Sequence, residues 1–168
     1  AMPEPKDGEA LLQVRYISLD AANRAWMHGA TYRSAVEANS VMAGGGIAEV
    51  VSSKAPGLAA GDIVFGDTGW QEFAAVPAKH LTKMPKLEPM THLLSVFGIA
   101  GLTAYFGLLE VGKPKDGETV VVSAAAGSVG SIVGQIAKIK GCRVIGIAGG
   151  ADKCNWLTGE LGFDAAVD

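Results

Sequence analysis

Residues 119–138 constrain this chain more than any other stretch. Thr119-Val120-Val121-Val122 is a short β-branched run that stops at small residues, Ser123-Ala124-Ala125-Ala126-Gly127-Ser128-Val129-Gly130. A helical apolar period then begins in Ser131-Ile132-Val133-Gly134-Gln135-Ile136-Ala137-Lys138. This order reads as a strand, a tight turn and a helix N-terminus. Such a turn aims backbone N–H groups and the positive end of the helix dipole at one point, where an anion binds. A nucleotide pyrophosphate is the natural occupant, which makes nicotinamide-cofactor chemistry the leading reading.

The spacing departs from G-x-G-x-x-G at one place, since Ala125 stands at the first glycine position and Gly127 and Gly130 at the others. Gly127 lets the backbone approach a pyrophosphate, and Gly130 lets helix and strand pack closely. Small residues also permit plain helix-on-strand packing, so the loop alone is weak evidence. The context adds to it. Arg143-Val144-Ile145-Gly146-Ile147-Ala148 reads as a second buried strand, completing a βαβ unit of about 30 residues. A site for NAD usually carries an acid at the end of this strand, bonded to the ribose 2′-hydroxyl. Here Ile147-Ala148-Gly149-Gly150 offers no carboxylate, and Lys153 follows at the start of the next helix. Lys153 is either a solvated helix residue or the partner of a 2′-phosphate, to which it can pair as a point charge. The missing acid and the lysine agree on NADPH.

Composition narrows the class. Fourteen Lys and Arg stand against 17 Asp and Glu, a net charge of −3, which leaves no basic surplus for nucleic acid. Hydrophobic residues make up 49% of the chain, as expected of a globular protein. No apolar run suggests a membrane span, and the first residues lack a signal-peptide core, so a cytoplasmic location is the default. Cys142 and Cys154 read as reduced, partly buried thiols, because no ligand stands near them at zinc spacing. His28, His80 and His92 are scattered, and no metal is assigned.

The chain has two textures. Residues 1–90 read as mostly β, with strands at Ala10–Ile17, Ile47–Val51, Ile63–Phe65 and Gly69–Val76. A short helix is expected from Asp20 to Met27, with Asp20 as its N-cap. Residues 91–168 read as α/β. Thr91 can cap a helical segment from His92 to Leu109, bent or broken at Gly98 and Gly101. Three parallel strands are countable, at Thr119–Ser123, Arg143–Ala148 and Asp164–Val167.

These residues together resemble the zinc-independent medium-chain dehydrogenase/reductases, in particular the NADPH-dependent alkenal and prostaglandin reductase group. The similarity is densest over Gly101-Leu102-Thr103-Ala104-Tyr105-Phe106-Gly107-Leu108-Leu109-Glu110 and Gly117–Gly130. It continues through Gly134–Lys138, Lys140–Val144, Asp152-Lys153-Cys154 and Leu161-Gly162-Phe163-Asp164. The resemblance implies a GroES-like mostly-β domain at 1–90, followed by the first half of a Rossmann doubly wound parallel sheet at 91–168. It implies hydride transfer from NADPH to the β-carbon of an α,β-unsaturated ketone or aldehyde. A quinone reductase of the same superfamily is the alternative, and a non-catalytic NADP-binding module is the alternative of another class. A homodimer is the implied assembly.

The family's A-x-x-G-x-x-G variant matches Ala124, Gly127 and Gly130, and Lys153 matches its 2′-phosphate lysine. Thr103 falls in the family's segment near the nicotinamide ribose, or else bonds its own helix backbone. The candidate cofactor-binding residues are Thr103, Ala124, Ala125, Gly127, Ser128, Val129, Gly130, Gly149 and Lys153. Ala43-Gly44-Gly45-Gly46-Ile47-Ala48-Glu49-Val50 stands where zinc alcohol dehydrogenases carry G-H-E-x-x-G-x-V, which disfavours zinc chemistry. Asp20-Ala21-Ala22-Asn23-Arg24 replaces the group's D-P-Y-M-R, and Ile99-Ala100 replaces its Met-Pro, so substrate preference stays open.

The length implies a fragment of a protein about twice as long, since a doubly wound fold builds two such halves. In the family a tyrosine of the later half is the usual donor to the substrate. Tyr16, Tyr32 and Tyr105 carry no motif that marks that role, and no catalytic residue is named. Trp70 and Tyr32 are either pocket-wall or packing residues.

Overall fold

Alternating apolar residues build the first part of this computed structural model, which describes residues 2–168. Strands β1 (Glu9–Ile17), β2 (Gly45–Ser53), β3 (Ile63–Asp67), β4 (Phe73–Pro77) and β5 (Thr82–Met84) form one antiparallel sheet in the order β4-β1-β2-β3-β5. Side chains two apart share a face of a strand, and the buried set follows that period. Ala10 and Leu12, Ala48 and Val50, and Ala74 and Val76 meet Val64 in one core. The register between β1 and β2 shifts twice, at Leu11/Leu12 and Val14/Tyr16, as bulges do.

Helix α1 (Ala21–His28) has Asp20 as its N-cap, as expected. The Asp20 N–H donates to Asn23 Oδ1 at 2.6 Å, and Asn23 Nδ2 donates to the Ala43 carbonyl at 3.0 Å. A buried amide is thereby satisfied on both sides, which is the condition for burying it. Two expectations need adjusting here. The strand expected from Gly69 begins only at Phe73, because the Gly69 and Trp70 N–H groups turn back to the Gly44 and Met42 carbonyls. The three-residue β5 is too short to show in the sequence.

The chain divides into two compact units after Leu93. In the second, β6 (Thr119–Val122), β7 (Arg143–Ile147) and β8 (Ala165–Val167) pair in parallel, in sequence order. Helix α3 (Ser128–Ile139) joins β6 to β7, and α4 (Ala151–Gly159) joins β7 to β8. Val122, Ala125, Ala137, Val144, Leu157 and Phe163 are buried together between sheet and helices. The continuous apolar run of β7 led to an expectation of full burial. Val144 and Gly146 are buried, but Ile147 is exposed on the other face.

The segment from His92 to Leu109 also departs from one bent helix. Thr91 lies in a 3₁₀ turn, Met90–Leu93, and the α-helix proper is Ile99–Phe106 (α2), with Gly98 as N-cap. A π-helical turn, Gly107–Gly112, follows it. Gly101 does not break the helix. A Cβ there would fall on the Val96 carbonyl, so glycine permits the close approach.

Asp164 ties the second unit together across distant sequence. Its carboxylate accepts from Lys138 Nζ on α3 at 2.8 and 2.9 Å and from the Val144 N–H on β7 at 2.6 Å. The Lys138 hydrogen bond, and then the backbone one, hold its pKa below the usual carboxylate value. A depressed folded pKa gives stability that is complete above the unfolded value, about 3.9, and is lost as pH falls through the folded one. Chemical unfolding between pH 5 and pH 2 is expected to show a steeper acid loss for the native chain than for Asp164→Asn. Equal slopes would remove this carboxylate from the account.

Candidate functional site

Strand β6 ends at Val122, and five residues carry the chain into α3. Ala124 takes a left-handed conformation, φ +47°, and its carbonyl accepts the Gly127 N–H at 2.9 Å. Ala125 is fully buried, and its N–H donates to the Ile147 carbonyl at 3.0 Å, anchoring the turn to β7. Gly127 is the N-cap of α3, and its carbonyl takes the Ser131 N–H at 2.9 Å. The N–H groups of Ser128, Val129 and Gly130 therefore have no partner among the described residues, as the first turn of a helix dictates.

Those amides lie on an open cleft of about 630 Å³. Its wall runs from Thr103, Gly107 and Leu108 past Val120–Ala124 to Gly127–Gly130 and Val133. No lining side chain carries a charge. The helix dipole and three orphaned amides are thus uncompensated, which is the electrostatics of an anion site. Close packing keeps the loop in this shape. A Cβ on Gly130 would stand 2.5 Å from the Ala124 carbonyl oxygen and 2.9 Å from Ala125 Cα, both backbone.

Of the expected site residues, Thr103, Ala124, Gly127, Ser128, Val129 and Gly130 line this one cleft. Ala125 lies beneath it in the core. Gly149 and Lys153 belong to the neighbouring turn, after β7. Val122 pairs in parallel with Gly146, so both turns leave the carboxyl edge of the same sheet, where doubly wound folds bind ligands. The Gly150 N–H donates to Asp168 Oδ1 at 2.9 Å, which fixes the start of α4. The Lys153 side chain is exposed and takes part in none of the ion pairs seen among the described residues. Gly107, Leu108 and Val133 also line the cleft although the motif does not mark them. The π-helical turn holding the first two is a feature often found at functional sites.

Tyr105 has apolar neighbours in sequence, which favour core packing on a helix over a donor role. It is half exposed, edge-on to Phe106 at 5.3 Å, and does not line the cleft. In the first unit Tyr32 is exposed and meets the Trp26 ring edge-on at 5.9 Å. Trp70 packs on Gly44, where a Cβ would stand 2.7 Å from its Nε1. Both cysteines are free, Cys142 buried and Cys154 partly so. Among the described residues no group of three His, Cys, Asp or Glu could hold a metal ion, and no helix is long and apolar enough to cross a membrane.

Residues 1–84 match a protein family described as the N-terminal domain of oxidoreductase. The chain is 51% identical over 169 residues to YfmJ of Bacillus subtilis (strain 168), which carries the name of an NADP-dependent oxidoreductase; the match covers 99% of this chain and 50% of that protein. It is 45% identical to the NADPH-dependent curcumin reductase of Escherichia coli (strain K12), covering 98% of this chain and 48% of that one. The crystal structure of CurA from Vibrio vulnificus in complex with NADPH superposes with a TM-score of 0.89 at 43% identity, over 100% of this chain and 50% of that one. The chain thus spans about half the length of the curated relatives it matches. The antiparallel first unit is the GroES-like domain, and the parallel sheet is the start of the second domain of that fold. The chain belongs to this oxidoreductase family, the medium-chain dehydrogenase/reductases.

Proposed function

We propose that this chain carries the phosphate-binding part of an NADPH site in a reductase of carbon–carbon double bonds conjugated to a carbonyl. The observation that carries the reading is the set of three unpartnered amides, at Ser128, Val129 and Gly130, on a cleft without charged side chains. These residues fit a pyrophosphate in charge, and Gly130 lets the turn pack closely enough on α3 to hold the three amides in place. Lys153, exposed at the head of α4, is the cation for the 2′-phosphate, and Gly149 lies in the turn before that helix, where even a Cβ would meet open space. Thr103 lines the same cleft and is the residue assigned to the nicotinamide ribose. The NADPH in the similar CurA crystal structure supports this choice of cofactor. The similarity to a curcumin reductase supports a conjugated carbonyl substrate, since curcumin is one.

Bound NADPH supplies the reducing equivalent. The chain's own residues bind and orient its phosphates, and the zinc-ligand positions are taken by Ala43–Gly46, so no metal is required. Reduction of such a bond leaves negative charge on the carbonyl oxygen, which needs a donor. None of the chain's three tyrosines lines the cleft, so no catalytic residue is assigned.

Lys153→Ala is expected to weaken NADPH binding by about 10- to 100-fold, the worth of a charge-assisted bond to a phosphate, with NADH unaffected. Equal losses for both cofactors would remove Lys153 from the site. In the full-length protein, loss of NADPH absorbance with a 2-alkenal as acceptor, undiminished by EDTA, is the expected activity, and the 168-residue fragment alone is expected to be inactive. Preference for a quinone over the alkenal would favour the quinone reductase reading. Loss of activity on chelation would overturn the zinc-free one.

A further inference from the structure

Ala124 is the one alanine among the described residues with a positive φ, +47°. The other two non-glycine cases have ordinary reasons: Asn39 tolerates this region, and Lys113 ends a helical segment as its C-cap. Ala124 has no polar side chain to offset the steric conflict of its methyl with the backbone. Glycine would adopt the same conformation without strain, and the loop already uses glycine at 127 and 130. The methyl is therefore retained against a local cost, on the floor of the cleft itself. Strain of this kind persists where surrounding contacts over-determine it, and it gathers at ligand clamps.

The contacts are of that sort. On one side the Ala125 N–H is anchored to Ile147, and on the other the Ala124 carbonyl holds the Gly127 N–H. That same carbonyl abuts Gly130, so the direction of Ala124 sets where α3 begins. We propose that Ala124 is a positioning residue whose left-handed backbone stiffens the turn, so that the Ser128, Val129 and Gly130 amides converge before the cofactor arrives. The inference rests on the NADPH reading of the cleft. A methyl at 124 removes backbone conformations that a glycine would explore, and freedom kept by the free loop must be surrendered on binding.

Ala124→Gly in the 168-residue chain tests it, with the thermal midpoint and the NADPH dissociation constant read together. The midpoint is expected to rise by a few degrees as strain is relieved. The dissociation constant is expected to weaken by roughly 3- to 10-fold as the loop loses its preorganisation. Opposite movements of stability and affinity are what a merely structural residue would not produce. An affinity unchanged or tightened in Ala124→Gly overturns the inference while leaving the NADPH reading intact. Failure of the unsubstituted chain to bind NADPH overturns both.

Discussion

Gly130→Ala is expected to abolish measurable NADPH binding and to lower the stability of the second unit. The added methyl meets the Ala124 carbonyl oxygen at 2.5 Å, Ala125 Cα at 2.9 Å and the Ala124 carbonyl carbon at 3.1 Å. All three atoms are backbone, so no rotamer change relieves the overlap, and α3 must move away from the turn. Overpacking of this kind costs about 1–3 kcal/mol of stability. The effect on binding is larger. Shifting the helix misdirects the Ser128, Val129 and Gly130 amides together, and hydrogen bonds to a charged group are worth about 1.5–3 kcal/mol each. Losing two of them weakens binding by more than about 100-fold. Gly159→Ala is the control, since a Cβ there meets open space. Titration calorimetry should show native affinity for that variant and none for Gly130→Ala. Binding by Gly130→Ala within threefold of native would refute the cradle.

The largest stability effect is expected at Phe163. The side chain is 4% exposed, and its ring occupies the notch left by two glycines, Gly134 on α3 and Gly146 on β7. A Cβ on Gly134 would fall inside the ring, and one on Gly146 would stand 3.0 Å from it. Phe163→Ala removes the body that joins helix to sheet and should cost about 3–5 kcal/mol. A domain's whole stability is about 5–15 kcal/mol, so the second unit should unfold early in urea. A reversal of sign gives the sharper test. Gly134→Ala alone should destabilise, because the clash outweighs a helix-propensity gain of about 1 kcal/mol. In the Phe163→Ala background the same change should stabilise, since its methyl enters the vacated space. Additive effects in that double-mutant cycle would show that the two residues do not share the notch.

Both predictions concern residues inside or beside the motif that the sequence made legible. The strand, turn and helix of 119–138 could be read because a β-branched run, small residues and a helical period follow without interruption. The alternation in β1 and the cap at Asp20 were legible for the same local reason. What escaped depends on contacts distant in sequence. The strand at Thr82–Met84 is held by pairing with β3, and a three-residue run carries no period of its own. Gly101 read as a helix breaker until the Val96 carbonyl gave it a packing reason. Gly107 and Leu108 reach the cleft because α2 and its π-helical turn lie beside α3, which no motif encodes. The Asp164–Lys138 pair joins residues 26 apart and leaves no mark in spacing. Trp70 read as either wall or packing, and its indole rests on Gly44.

The central claim is that three amides at the head of α3 receive the pyrophosphate of NADPH. Backbone amide resonances of the isotopically labelled chain, followed through an NADPH titration, test it most directly. The account predicts that Ser128, Val129 and Gly130 shift most, in a saturable way, with the head of α4 around Lys153 shifting for NADPH but not for NADH. Shifts confined to the first unit, or none at the head of α3, would contradict it.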